Sequence, residues 1–231
     1  MAEGLDALKA VVCGAVEARL KTNTLRGSYT TVWRQFEEAA IDALCDTLPR
    51  HIPGLQAGAF DRGQPGQDKN RLADLAIVCD DGVIEVSIKT ARATANPEND
   101  LGTFRDFPRR KRLFAASFAL WVRYEQTGDT IRCERVFFDR AWRFVGRATQ
   151  VDGVKYRKKD GNMRPKPWAM FDSGAAYWSS EEEFEAALRR SEQHRANELI
   201  REYLQTLSVN DQRLLYETLR PRFEKLKPAN R

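Results

Sequence analysis

The chain has 231 residues, 42% of them hydrophobic and 31% charged, a balance that excludes a disordered or fibrous protein and suits one large domain or two small ones. No window approaches the roughly 18 consecutive apolar residues of a membrane helix, and the stretch from Met1 to Leu20 carries Glu3, Asp6, Lys9, Glu17 and Arg19, so it reads as neither a membrane span nor a secretory signal. The net charge of +5 is uneven: Thr103 to Lys166 holds 17 Lys or Arg against 7 Asp or Glu, which points to a polyanionic partner.

Leu5, Leu8, Val12, Val16 and Leu20 recur at helical spacing and predict a first helix. A second is expected from about Thr31 to Leu48, with Ser28 and Thr30 as candidate caps and Pro49 as its stop. After a Gly-, Pro- and polar-rich stretch from His51 to Lys69, the β-rich runs Leu72 to Cys79 and Val83 to Thr90 meet at Asp81-Gly82, a hairpin signal. Ala95 to Arg112 is turn-rich and basic, Ala115 to Tyr124 is apolar enough for a buried strand or a buried helix, and Thr130 to Phe138 reads as a strand. A short helix near Asp139 to Val145 precedes a basic stretch from Gly153 to Pro167 that reads as a mobile hairpin. The tail from Ser180 reads as helices over Glu183 to Ser191 and Arg195 to Leu207, then a last one opened by Ser208 with Asp211 three residues on. With no repeat, low-complexity linker or domain break, residues 1–231 are expected to form one domain with a helical subdomain over 180–231.

Four cysteines (Cys13, Cys45, Cys79, Cys133) without a C-x-x-C pair read as reduced core thiols and place the protein in the cytoplasm. Two histidines, His51 and His194, are too few for a His-rich zinc site or a histidine-centred nuclease, and both read as surface or capping residues. Gly63-Gln-Pro-Gly66 lacks the Gly-Lys-Ser/Thr ending of a phosphate-binding loop, so no nucleotide cofactor is expected.

A two-residue turn at Asp81-Gly82 would put Asp74 opposite Lys89, Ala76 opposite Ser87 and Val78 opposite Glu85, gathering acid and amine on one face unless a bulge shifts the register. The other face, Leu75, Ile77 and Cys79 against Ile84, Val86 and Ile88, is wholly apolar and supplies a core wall by itself. Read alone, Asp74 and Lys89 make an ordinary cross-strand ion pair. On a helical wheel Glu37 falls inside the arc of Trp33, Phe36, Ala40, Ile41 and Leu44, so the second helix turns this carboxylate inward, whereas Glu38 points away. An inward carboxylate needs a partner, a metal or a Lys, or at the edge of the stripe Arg34 or Arg50.

Asp74, a short strand pair and then Ser87-Ile88-Lys89 resemble the core of the PD-(D/E)XK nucleases, whose small members include the type II restriction endonucleases. The resemblance covers about Trp33 to Thr90 and departs from the pattern at Ala73, where the motif has Pro, and at Ser87, where it has a second carboxylate. It implies an α/β fold, a central mixed sheet flanked by helices with a C-terminal helical subdomain, and a site-specific, Mg²⁺-dependent deoxyribonuclease acting on double-stranded DNA as a homodimer. In that reading Asp74 and Glu37 hold the metal, with Glu85 as a reserve ligand, Lys89 positions or deprotonates water, and Ser87 hydrogen-bonds within the site. The loop after the second strand offers Asn99 and Arg105 for base contacts, and Arg109, Arg110, Lys111, Arg157, Lys158, Lys159 and Arg164 suit phosphates. The competing readings are a structure-specific repair or junction-resolving nuclease of the same superfamily, and a DNA-binding protein without catalysis.

Overall fold

The computed structural model describes residues 2–22, 25–26, 29–59, 74–79, 82–102 and 117–226. Helix α1 (Ala2–Thr22) buries Leu8, Val12, Val16 and Leu20, one residue per turn, and packs on α2 (Tyr29–His51), whose own stripe is Val32, Phe36, Ala39, Ala40, Ala43, Leu44 and Leu48. The expected stop at Pro49 is not where α2 ends: the helix runs through it to His51, and Ile52 still donates to the Leu48 carbonyl at 2.9 Å. A proline this close to the C-terminus forfeits one hydrogen bond in a turn that is ending anyway. The candidate cap Ser28 lies outside the described residues.

The strands are β1 (Leu25–Arg26), β2 (Gln56–Ala59), β3 (Leu75–Cys79), β4 (Gly82–Arg92), β5 (Ser117–Thr127) and β6 (Thr130–Arg140), arranged β1-β6-β5-β4-β3-β2 in one sheet. Among the described strands only the β4–β5 pair is parallel, so the sheet is mixed. Strand β5 is central, and Phe118, Ala119, Leu120, Trp121 and Val122 are all buried, because both faces of the sheet are covered there. That continuous apolar run is why local periodicity left Ala115 to Tyr124 open between strand and helix.

One face of the sheet, including Ile77, Val86, Leu120 and Phe138, packs under α1 and α2. The other carries an aromatic core in which Trp121 lies 5.3 Å from Phe171, and Trp168 4.7 Å from Phe171, between ring centroids. Trp168 and Phe171 belong to the short helix α3 (Trp168–Asp172). The segment between sheet and tail is structured: a 3₁₀ turn at Ala141–Phe144 replaces the expected short helix, and β7 (Arg147–Ala148) pairs with β8 (Gly153–Val154).

The hairpin expected over Gly153 to Pro167 is present, and it is fastened to its neighbours. Tyr156 bridges Met163, Val145 bridges Pro165, and Arg195 of helix α4 (Glu181–Thr206) donates to the carbonyls of Lys158 and Lys159 at 2.8 and 3.2 Å. At Gly153 a Cβ would stand 2.1 Å from the Ser191 hydroxyl, so only glycine lets β8 approach α4 this closely. Helix α4 is also continuous where two helices were expected, since Glu192, Gln193 and His194 offer no break. Its start is a reciprocal cap: Ser180 accepts from the Glu183 N–H at 3.3 Å, and the Glu183 carboxylate accepts from the Ser179 N–H at 2.7 Å. Helix α5 (Val209–Leu226) opens at Ser208, whose hydroxyl accepts from the Asp211 N–H at 3.2 Å.

Cys13, Cys45 and Cys133 are free thiols; burial pushes Cys13 up to about 11 and Cys133 up to about 12. Among the described residues no helix is long and apolar enough to cross a membrane.

Candidate active site

The site grows from the place where the β3–β4 ladder ends. Cys79 faces Gly82 and Leu75 faces Val86, so the register lies two residues from the expected one. Gly82, at φ 137°, opens β4 instead of closing the turn. Asp74 therefore does not stand opposite Lys89. A two-residue shift preserves faces, so the apolar wall stays on its expected side, with Leu75 and Ile77 against Val86 and Ile84.

Beyond Leu75↔Val86, β4 runs on to Arg92 with β5 along one edge. Asp74 serves the opened edge: its N–H donates to the Val86 carbonyl at 2.9 Å, and its Oδ2 accepts the Ile88 N–H at 2.7 Å and the Ser87 hydroxyl at 3.4 Å. The carboxylate takes over an amide that the ladder has ceased to pair, and this holds Asp74 in place although it is only 8% exposed.

Helix α2 crosses above this point. A cleft of about 250 Å³ is lined by Trp33 and Glu37 from α2, Asp74 from the foot of β3, Ile88, Lys89 and Thr90 from β4, and Asn99 from the loop after β4. Glu37 is half-buried on the flank of the helix stripe rather than inside it, because the buried arc runs through Val32, Phe36 and Ala40. Trp33, expected in the apolar arc, is 41% exposed for the same reason. Glu85 is buried opposite Ala76 and is not among the residues that line the cleft; four residues from Lys89 on an extended strand corresponds to about 13 Å.

Among the described residues no three His, Cys, Asp or Glu side chains stand together as a metal group. The donors in the cleft are two carboxylates, with the Ile88 carbonyl on the same strand edge as the Ile88 N–H, where Asp74 sits. Hard oxygens in that number fit Mg²⁺, which binds through one or two carboxylates and completes its shell with water and phosphate oxygens.

The cleft adjoins a groove of about 930 Å³, sharing Thr90 and Asn99 with it and adding Arg92, Asn96, Glu98, Arg157 and Arg164. Its floor is tied down by the Trp168 indole N–H, which donates to the carbonyls of Arg92 at 3.1 Å and Ala95 at 2.9 Å. Asp100 bridges the two arginines, 3.0 Å from Arg157 and 2.8 Å from Arg164. Arg157 is also paired with Asp160, which holds the Asp160 carboxyl far below its ordinary range and raises the arginine.

The remaining sequence candidates divide. Lys158 is drawn away to α4, where it pairs with Glu202 and lies 3.6 Å from Glu198, and Lys159 gives its carbonyl to Arg195. Arg105, Arg109, Arg110 and Lys111 lie outside the described residues. Trp33, Thr90, Arg92, Asn96, Glu98 and Asp100 were not anticipated as lining or organising groups; their signal in the sequence is position, on the helix turn before Glu37 and in the Asn-rich loop directly after Lys89.

No protein-family model matches the chain, and no curated protein does. Among solved structures, the NlaIV restriction endonuclease superposes with a TM-score of 0.49 at 12% identity over 74% of this chain and 73% of that one.

Proposed function

We propose that the protein is a Mg²⁺-dependent deoxyribonuclease that hydrolyses phosphodiester bonds at the cleft between α2 and the end of β4. The observation that carries this reading is the convergence of Glu37, Asp74 and Lys89, from three separate elements, on one cleft that opens to an arginine-lined groove. Two carboxylates and an ammonium within one small cleft suit a reaction that neutralises charge developing on phosphorus and orients a water.

Asp74 and Glu37 would hold the ion, which when bound supplies charge neutralisation at the phosphate and lowers the pKa of water. Lys89 orients the attacking water and balances the two carboxylates. Ser87 steadies Asp74 from one side while the Ile88 N–H does so from the other. Arg157 and Arg164, pre-set by Asp100, contact the backbone phosphates flanking the cleavage point, and Asn99, at the junction of cleft and groove, contacts bases. The missing motif carboxylate at Ser87 is replaced by Glu37 from the helix. Site-specific cutting of both strands of a palindrome would be done by a homodimer in the cytoplasm, since two-fold DNA is matched by two-fold protein.

The deciding experiment is digestion of a sequenced supercoiled plasmid with Mg²⁺ and with EDTA, run beside the Asp74→Asn variant. Discrete metal-dependent fragments that the variant fails to make support the reading. Intact plasmid with retained DNA binding returns the protein to the class of non-catalytic DNA binders, and nicking confined to branched or mismatched substrates makes it a structure-specific nuclease.

A further inference from the structure

A pocket of about 330 Å³ follows the groove and shares Asn96 with it, so cleft, groove and pocket adjoin in series. Its chemistry differs from that of the groove. Pro97, Pro165 and Tyr177 give it apolar walls, Arg147 and Lys155 give it two cations, and no carboxylate is among the described residues that line it. Arg147 is paired with Asp152 at 2.5 Å, as the groove arginines are paired with Asp100. The exposed Lys155 ammonium has no hydrogen-bond or ion-pair partner among the described residues. Its backbone, by contrast, is fixed. The Lys155 N–H donates to the Gly146 carbonyl at 2.5 Å, its carbonyl accepts the Arg164 N–H at 2.8 Å, and the Gly146 N–H closes the ring by donating to the Arg164 carbonyl at 2.7 Å. One ring of backbone hydrogen bonds thus sets Lys155 of the pocket beside Arg164 of the groove.

Resting on the nuclease reading above, we propose that this pocket binds a backbone phosphate of the DNA, with Lys155 as its ligand, beyond the stretch of duplex that lies over the groove. Cations set between apolar walls focus a positive potential, and with no carboxylate in the lining nothing within the pocket competes for it. A lysine ammonium is a compact point charge that meets a phosphate oxygen without the planar fit an arginine requires. The walls suit the carbon face of the adjoining deoxyribose. Continuity with the groove through Asn96 and through the Lys155–Arg164 backbone link favours polymeric DNA over a free ion, since one strand then meets Arg164 and Lys155 in turn. Such a contact reads no base, so Lys155 contributes affinity and register rather than sequence choice.

The test is the salt dependence of binding to a mixed-sequence duplex oligonucleotide, measured with the full chain in EDTA so that nothing is cut. Lys155→Gln, which keeps the stem and removes the charge, is expected to lower the slope of log K against log salt by about 0.9, one phosphate contact, and Lys155→Arg to restore it. Arg132→Ala removes an exposed cation of β6 that lines neither groove nor pocket, and should leave the slope unchanged. Inorganic phosphate titrated by calorimetry should bind the parent no better than it binds Lys155→Gln. A Lys155→Gln slope equal to the parent's, or an equal loss in Arg132→Ala, overturns the proposal while leaving Mg²⁺-dependent cleavage in place. Tight binding of inorganic phosphate that depends on Lys155 overturns it too, by making the pocket a site for the free ion. A parent chain that binds no duplex removes this proposal and the nuclease reading together. A Lys155-dependent slope in a chain that cuts nothing with Mg²⁺ upholds the phosphate contact and removes only the catalytic reading.

Discussion

The Asp74 carboxylate accepts the backbone N–H of Ile88 at 2.7 Å, a side chain standing in for the strand that begins one residue later. One carboxylate thus completes the sheet edge and lines the cleft, so charge and hydrogen-bonding capacity separate cleanly by mutation. Asp74→Asn keeps an acceptor for the amide and removes the charge. It is expected to lose about 10³-fold or more of Mg²⁺-dependent cleavage with little change in melting temperature. Asp74→Ala should lose the same activity and in addition about 1–3 kcal/mol of stability, because a buried N–H is left without its acceptor. Plasmid cleavage and thermal unfolding of both variants check this, and equal melting temperatures would contradict the capping role.

Glu37 and Glu85 are separated by placement, one in the cleft and the other buried beside Ala76. Glu37→Gln keeps the shape and loses the charge a divalent ion requires, so metal-dependent cleavage should be abolished and calorimetric Mg²⁺ affinity should fall by about ten-fold or more. Glu85→Gln should cut at close to the parent rate. The reverse pattern would move the metal to the other side of β4.

The salt dependence of DNA binding distinguishes the basic residues that line the groove from the one that leaves it. Each phosphate contact contributes about −0.9 to the slope of log K against log salt on duplex DNA. Arg157→Ala and Arg164→Ala, which remove cations from the groove lining, are each expected to reduce that slope by about one contact, whereas Lys158→Ala, outside that lining and turned toward Glu198 and Glu202, should leave it unchanged. Binding isotherms over a salt series provide the test.

Lys166 supplies a pH signature independent of any activity. Its side chain is 2% exposed, over the rings of Phe144 and Phe171, and burial, helped by the nearby Arg143, lowers its pKa from 10.5 to about 8. The folded chain therefore binds fewer protons than the unfolded one between about pH 8 and 10.5, so this residue's contribution to stability rises with pH through that window. The penalty is fully present below about pH 8 and relieved above the unfolded value. Lys166→Met should be more stable than the parent at pH 7, by up to about 3 kcal/mol, with the gap closing as pH approaches 10. Denaturant midpoints at several pH values measure it, and a gap independent of pH would refute the assignment.

What the sequence determined by itself is what local periodicity encodes. The stripe of α1, most of α2, the β3 and β4 runs with their apolar wall, and the cap at Ser208 all follow from neighbours within a few residues, whose spacing decides which face is buried. Glu37, Asp74 and Lys89 were named from the sequence as candidates by their chemistry, and the structure brings all three to the lining of one cleft. What only the tertiary structure decided are quantities set between distant segments. The hairpin register moved by two residues because Gly82 entered the strand, a change that preserves every face and so leaves no trace in the alternation pattern. Trp33 is exposed because the angle at which α2 meets the sheet, and not the helical wheel, decides which flank of the stripe is covered. Asp100 joins arginines 57 and 64 residues away, and Lys158 turns from the groove to α4 for partners 40 and 44 residues on. Charge alone marked that region as a polyanion surface; which arginines line the groove and which lysine is spent on an internal pair depends on the packing of α4 against β8, a contact between segments whose local patterns carry no information about each other.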